Sequence, residues 1–164
     1  MQFHSELLLN NNIIKMECIF CKIIAGEIPS SKVYEDEKIL CFLDINPANK
    51  GHSLVLPKEH YEDIFDVPDE LLREIISVVK KVAVAVEKTT ASDGINVVQN
   101  NKKAAGQLVS HIHFHIIPRF ENDEINFSYA GEKYSEGEME ETRKRIDAII
   151  RMYNATEWMK NKKS

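Results

Sequence analysis

Polar and apolar positions alternate most strictly in GQLVSHIHFHIIPRF, residues 106–120. His111, His113 and His115 take every second position, and Ile112, Phe114 and Ile116 fill the alternate ones. A period of two in β-branched and aromatic residues predicts a strand. Residues i, i+2 and i+4 of a strand share a face, so the three imidazoles line one side and the apolar residues pack into the core. Pro118 cannot donate to a ladder and is expected to end this strand.

The rest of the chain reads as short elements. Val33–Glu35 and Ile39–Asp44 flank the polar turn Asp36-Glu37-Lys38 and predict a hairpin. Ser53–Pro57 predicts a third strand, entered through Lys50-Gly51, and Ile95–Val98, after the turn Asp93-Gly94, a fourth. Pro68 followed by Asp69 and Glu70 marks a helix start. Leu72, Ile75, Ile76, Val79, Val82 and Val86 recur at helical spacing, which carries that helix to about Lys88. Ser135 and Glu138 form a capping-box pattern ahead of a last helix with Met139, Ile146, Ile149 and Tyr153 on one side. Four or five short strands with two segregated helices predict an α+β fold around an antiparallel sheet.

Composition narrows the function classes. A length of 164 residues suits one domain with a real core. A net charge of −5 argues against sequence-independent nucleic-acid binding, which draws on clustered Lys and Arg. No apolar run is long enough to span a bilayer, so no membrane partner is expected. The start MQFHSELLLNNNIIK lacks a basic segment and does not read as a secretory signal. Met16 offers an alternative start, which would make residues 1–15 an extension outside the fold. Three cysteines, an odd number, suit a reducing compartment better than a disulfide framework, and a cytoplasmic location is expected.

Three chemistries compete for the histidine array. The rings could be a solvent-facing polar stripe. They could be metal ligands, because alternate His on a strand can supply zinc. They could also include a nucleophile, a neutral imidazole attacking an electrophile while neighbouring donors stabilise the developing charge. Cys18-Ile-Phe-Cys21 is similarly open: two small buried residues, a redox pair, or half of a tetrahedral zinc site that needs two more ligands.

HIHFHII has the pattern His-φ-His-φ-His-φ-φ, with φ apolar, and resembles the signature of the histidine-triad nucleotide-binding family. The likeness extends over nearly all of residues 18–120: CIFCKIIAGEIPSSKVYEDEKILCFLDINPANKGHSLVLPKEH is similar to its N-terminal half, and NNKKAAGQLVSHIHFHIIPRF to the triad block of its small bacterial and archaeal branch. The resemblance implies a triad domain over residues 16–130, followed by a C-terminal helix and basic tail over 131–164. It implies a five-stranded antiparallel sheet with two main helices, continued across a homodimer. Substrates would be purine nucleoside 5′-phosphates with a leaving group on the α-phosphate: phosphoramidates, adenylates or dinucleoside polyphosphates.

By that resemblance His113 is the nucleophile that forms a nucleotidyl-histidine, and the backbone carbonyl of His111 accepts the proton of its other ring nitrogen. His115 and Asn100 would hold the phosphate, with Gly106 and Gln107 bringing further donors close. Asp44, locally a plain turn residue before Asn46-Pro47, would accept from the ribose hydroxyls. Ile19, Phe20, Ile23, Ile28, Phe42 and Leu54, otherwise ordinary core, would line the purine slot. His52 is either a polar residue entering a strand or a group near the nucleotide. Cys18, Cys21, His60 and His111 would hold a structural zinc, with no organic cofactor. That closed set would leave no open metal position, which disfavours a zinc hydrolase. Where related uridylyltransferases carry Gln, His115 favours transfer to water. Leu108 departs from the family, many members having Ser there against the leaving group, and residues 121–164 do not match the short tail of the purine phosphoramidases. A non-catalytic purine-nucleotide binding protein with the same pocket is the alternative.

Overall fold

The computed structural model describes residues 17–126 and 131–161, so the expected extension at 1–15, Met16 and the end of the basic tail at 162–164 lie outside the described residues. The chain divides into two compact units, Met1–Ile125 and Asn126–Ser164.

In the first unit the period-two segments become five strands, β1 (Lys32–Glu35), β2 (Ile39–Leu43), β3 (Ser53–Pro57), β4 (Gly94–Val98) and β5 (Phe114–Arg119). They form one antiparallel sheet in the order β1-β2-β3-β5-β4. The β1–β2 turn is closed by Asp36, whose Oδ1 accepts the backbone N–H groups of Lys38 (2.8 Å) and Ile39 (2.7 Å).

Alternation along β2 and β3 sorts side chains between two layers. Ile39, Cys41 and Val55 join Ile112, Phe114 and Ile116 under helix α2 (Asp69–Thr90), which contributes Ile75, Val78, Val79, Val82 and Val86. Leu40, Phe42, Leu54 and Leu56 face the other way, against Phe20 and Ile23 of a short helix α1 (Ile19–Ile24). Covered on both faces, β3 is buried along its whole length. Helix α2 is rich in Val, a modest helix former. Burial of five aliphatic side chains, on the order of 10 kcal/mol in gross transfer terms, holds it where propensity would not. Its buried stripe runs through Val78, whereas Ile76, expected in the stripe, is 47% exposed.

Two expectations are corrected. The ladder of β5 begins only at Phe114. His111 and Ile112 precede it, and the Ile112 N–H donates to the Tyr61 carbonyl at 2.7 Å. Pro118 does not end the strand; it pairs with Ile95, and β5 continues to Arg119. The ladder with β3 stops at Ser53↔Ile116, so the missing N–H of Pro118 faces beyond the end of β3. On that side its carbonyl accepts from Asn49 Nδ2 at 2.8 Å, and no ladder bond is lost. Helix α1 is an addition to the expected elements, too short at six residues to show a helical period.

The second unit contains α3 (Glu138–Asn161). The helix opens at Glu138, after Gly137 at φ 78°, not at Ser135. The Glu138 carboxylate accepts both the backbone N–H (2.7 Å) and the hydroxyl (2.8 Å) of Ser135, which is half of a reciprocal capping box. Met139, Ile146, Ile149 and Tyr153 are exposed.

Candidate active site and metal centre

Residues 111–115 retain their two-sided character even where the ladder has not begun. Ile112 and Phe114 lie in the α2-side core, and the rings of His113 and His115 stand 4.9 Å apart between centroids. His113 Nδ1 is 2.7 Å from the carbonyl oxygen of His111. A carbonyl only accepts, so Nδ1 carries the proton and Nε2 presents its lone pair. The ring is buried, T-shaped against Phe20 with 5.1 Å between centroids. Burial pushes the His113 pKa below the ordinary imidazole value, against the opposing pull of the His111 carbonyl and Asp44. At neutral pH the group is an oriented, uncharged base.

His115 is positioned from β3. Its Nδ1 lies 2.9 Å from Nε2 of the buried His52, whose Nδ1 accepts the backbone N–H of Ala48 at 3.2 Å. That acceptance places the His52 proton on Nε2, donated to His115, so the His115 proton sits on its own Nε2. Burial lowers the His52 pKa and takes that of His115 down to about 4, with the neighbouring imidazoles adding to the latter. Asp44 Oδ2 stands 3.6 Å from His52 Nδ1, too far for a hydrogen bond, as expected between two acceptors. His52, open between two readings in the local sequence, is hydrogen-bonded to His115 and lies beside Asp44.

Asn100 lies two residues beyond Val98, the last residue of β4, which pairs with His115. Its carboxamide has no protein partner among the described residues. A Cβ placed on Gly106 (φ 85°) would stand 3.8 Å from Asn100 Nδ2. Gln107 differs from the expectation of a phosphate donor. Its Nε2 donates to the Glu62 carbonyl and its Oε1 accepts from Lys102 N–H, both at 2.6 Å, while its own N–H goes to the Lys102 carbonyl. Buried, with both carboxamide atoms engaged, Gln107 braces the loop. Lys102 itself holds φ 67°, a region that favours glycine, which stores roughly 1–3 kcal/mol of strain beside Asn100. Leu108 is 94% exposed.

Of the six apolar residues assigned to a purine slot, Phe20, Ile23, Phe42 and Leu54 form one buried cluster, with Ile28 packed against it. Ile19 is 47% exposed. In the first unit a surface concavity opens by Lys38, Lys58 and Leu71.

Cys18, Cys21, His60 and His111 converge from α1, the segment after β3 and the approach to β5. Their four donor atoms lie within 4.8 Å of one another. Cys21 Sγ is 3.4 Å from His60 Nδ1, and both sulfurs are 3.6 Å from His111 Nδ1. Bonds of about 2.3 Å to sulfur and 2.05 Å to nitrogen at a tetrahedral angle put S and N about 3.6 Å apart, so the spacing fits zinc. His111 Nε2–H donates to the Pro57 carbonyl at 2.9 Å, which aims Nδ1 at the thiols. Burial lowers the His111 pKa to about 4, keeping it in the unprotonated form a metal requires. Both thiols are free of disulfide. Cys41 is a core residue whose thiol is pushed up to about 12 by burial. The His52–His115–Asp44 group also brings its donors within 4.8 Å.

Comparison with known proteins agrees with this geometry. The model of the HIT domain matches residues 25–122. An uncharacterized HIT-like protein of Methanocaldococcus jannaschii is 60% identical over 106 residues, 65% of this chain and 81% of its own. An adenosine 5′-monophosphoramidase of Schizosaccharomyces pombe is 48% identical over 104 residues, 63% of this chain and 75% of its own. Among solved structures, a HIT-family protein of Bacillus subtilis superposes with a TM-score of 0.76 at 42% identity, covering 80% of this chain and 96% of that one. A zinc-bound histidine-triad protein of Mycobacterium smegmatis does so at 0.65 and 39%, covering 72% and 86%. With a family match spanning well over half its length and the triad in place, the chain belongs to the HIT family.

Proposed function

We propose that the protein hydrolyses nucleoside 5′-phosphate derivatives through a covalent nucleotide on His113. The observation that carries this reading is the 2.7 Å bond from His113 Nδ1–H to the His111 carbonyl, which leaves Nε2 unprotonated. That nitrogen attacks the α-phosphorus. A P–N(His) bond forms, and the bond to the leaving group breaks with its electron pair going to the leaving atom, which takes a proton from water. Water then attacks phosphorus and gives up a proton to the hydroxide left by the first step, the P–N(His) bond breaks, and Nε2 recovers its lone pair. His115 Nε2–H and the Asn100 carboxamide stabilise charge on the phosphoryl oxygens. Asp44 accepts from the ribose, and Phe20, Ile23, Phe42 and Leu54 form the apolar wall for the base. The S. pombe relative named as an adenosine 5′-monophosphoramidase supports a phosphoramidate substrate.

Cys18, Cys21, His60 and His111 would hold zinc as a closed four-ligand structural site, tying α1 to the start of the triad and supplying no open position to substrate. The protein acts as a cytoplasmic homodimer. Of the two sheet edges, β1 carries a register shift between Lys32 and Tyr34, whereas β4 is regular and presents Val97, 49% exposed. The regular edge suits a continued sheet.

The test is turnover of adenosine phosphoramidate, quenched and read by mass spectrometry. Nucleoside monophosphate on His113 is expected, and loss of hydrolysis in His113→Ala with nucleotide binding retained. Full activity in His113→Ala overturns the assignment. Binding without turnover in either protein passes the lead to a non-catalytic nucleotide sensor, the reading that the exposed Leu108 favours.

A further inference from the structure

Asp44, His52 and His115 make up a second set of convergent donors, with no thiol. His52 Nε2 and His115 Nδ1 are 2.9 Å apart. Two imidazole nitrogens bound at about 2.05 Å to one ion stand about 2.9 Å apart at a right angle and about 3.3 Å at a tetrahedral one. The pair therefore has the separation of neighbouring ligands, and the rings need only turn until their lone pairs converge on an ion instead of sharing a proton. On the far side of His52, Asp44 Oδ2 lies 3.6 Å from Nδ1. A carboxylate behind a metal-bound imidazole is the usual orienting partner. The bond given up, Ala48 N–H to His52 Nδ1, is a long one at 3.2 Å.

We propose that His52 Nε2 and His115 Nδ1 bind one divalent ion of the zinc class, that Asp44 orients His52 from behind, and that ion and nucleoside compete for Asp44. Imidazole donors select zinc, copper or nickel over magnesium and calcium. Protons balance without release: the single His52 proton moves from Nε2 to Nδ1, where the carboxylate takes it as a charge-assisted bond, and the His115 proton stays on Nε2. Binding of the ion is independent of any catalytic reading. The competition rests on Asp44 being the ribose acceptor proposed above.

Protein whose Cys18–Cys21–His60–His111 site is already filled with zinc is titrated with Zn²⁺ by calorimetry in two buffers of different ionisation enthalpy. One further equivalent is expected, with no buffer-dependent proton release, and long-range ¹H–¹⁵N spectra should show the His52 proton moving from Nε2 to Nδ1. His52→Gln, which can still donate to His115 but is no zinc ligand, should lose that equivalent. Asp44→Asn should weaken it roughly tenfold. Adenosine, which has no phosphate to chelate the ion, should raise the zinc Kd by the factor by which zinc raises its own. Absence of a further equivalent, its persistence in His52→Gln, or an unmoved tautomer overturns the site. Independent binding of adenosine and zinc overturns the competition alone. Zinc binding as described with no binding of adenosine overturns the nucleotide reading and leaves the metal site standing.

Discussion

Replacing His52 with Phe tests how much of the site depends on a residue that need not touch the reacting atoms. Phe fills nearly the same space and forms neither hydrogen bond. His115 Nδ1 loses its donor at 2.9 Å and Ala48 N–H its acceptor at 3.2 Å. A buried polar group left unsatisfied costs about 1–3 kcal/mol. Ala48 is exposed and its N–H can turn to water, so the loss falls mainly on the half-buried His115 and amounts to roughly 1–3 kcal/mol, set against the about 5–15 kcal/mol typical of a whole domain. Urea denaturation should show this as a lower midpoint at unchanged slope. The kinetic effect has an upper bound in the roughly 10²–10³-fold cost of deleting one transition-state donor. His115 is released here, not deleted, so kcat on adenosine phosphoramidate should fall about tenfold. KM should move little, because Phe20, Phe42 and Asp44 stay in place. His52→Gln can donate to His115 and accept from Ala48, so it should recover part of both losses. An unchanged kcat in His52→Phe would refute the positioning role, and equal losses in Gln and Phe would show that space, not hydrogen bonding, is what His52 supplies.

Cys18→Ser should lose zinc in elemental analysis and lower the thermal midpoint before it lowers kcat of the folded fraction, since metal affinity feeds into folding and His113 is not a ligand. His52, His113 and His115 are held below the ordinary imidazole value by burial, His115 at about 4. Their unfolded forms take up protons first, so the stability they contribute is present above about pH 6.5 and is lost as pH falls toward 4. Urea midpoints measured at pH 7, 6 and 5 should fall steadily; a flat series would mean that these rings are not kept neutral. Gly51 combines φ 100° with a Cβ position 2.8 Å from Thr90 Cγ2, so Gly51→Ala should destabilise by about 2–3 kcal/mol. Adding Thr90→Ser, which removes that methyl, should recover only the steric part.

The layers were legible because alternation is a direct record of which side of a sheet a residue faces. Ile112, Phe114 and Ile116 are buried under α2 as their spacing required, and Pro68 with Asp69 and Glu70 does open that helix. Less legible was anything set by a distant partner. Pro118 looked like a terminator because its missing N–H was assumed to face a neighbour, and only the strand order shows that β3 has ended by then. The Gln107 carboxamide looked available for phosphate, yet it is bonded to Glu62, 45 positions earlier in the chain. The six residues of α1 are shorter than two helical turns and leave no period to read. The bond from His52 to His115 joins positions 63 apart, and no local pattern marks it.

The strand order β1-β2-β3-β5-β4 bears on how the protein is made. Strand β5, an interior strand, is the last of the sheet to be synthesised, and until residue 119 has emerged β3 and β4 have no partner between them. Through that interval SLVLP stands as an open, apolar edge, the kind of segment on which chains adhere to one another. Closing the sheet then requires β5 to add to β3 and bring β4 onto its other edge, a non-local step that slows folding. The same strand brings His115, and its approach brings His111 and His113, so no partial active site exists on a nascent chain. Chemistry and sheet closure arrive in a single event.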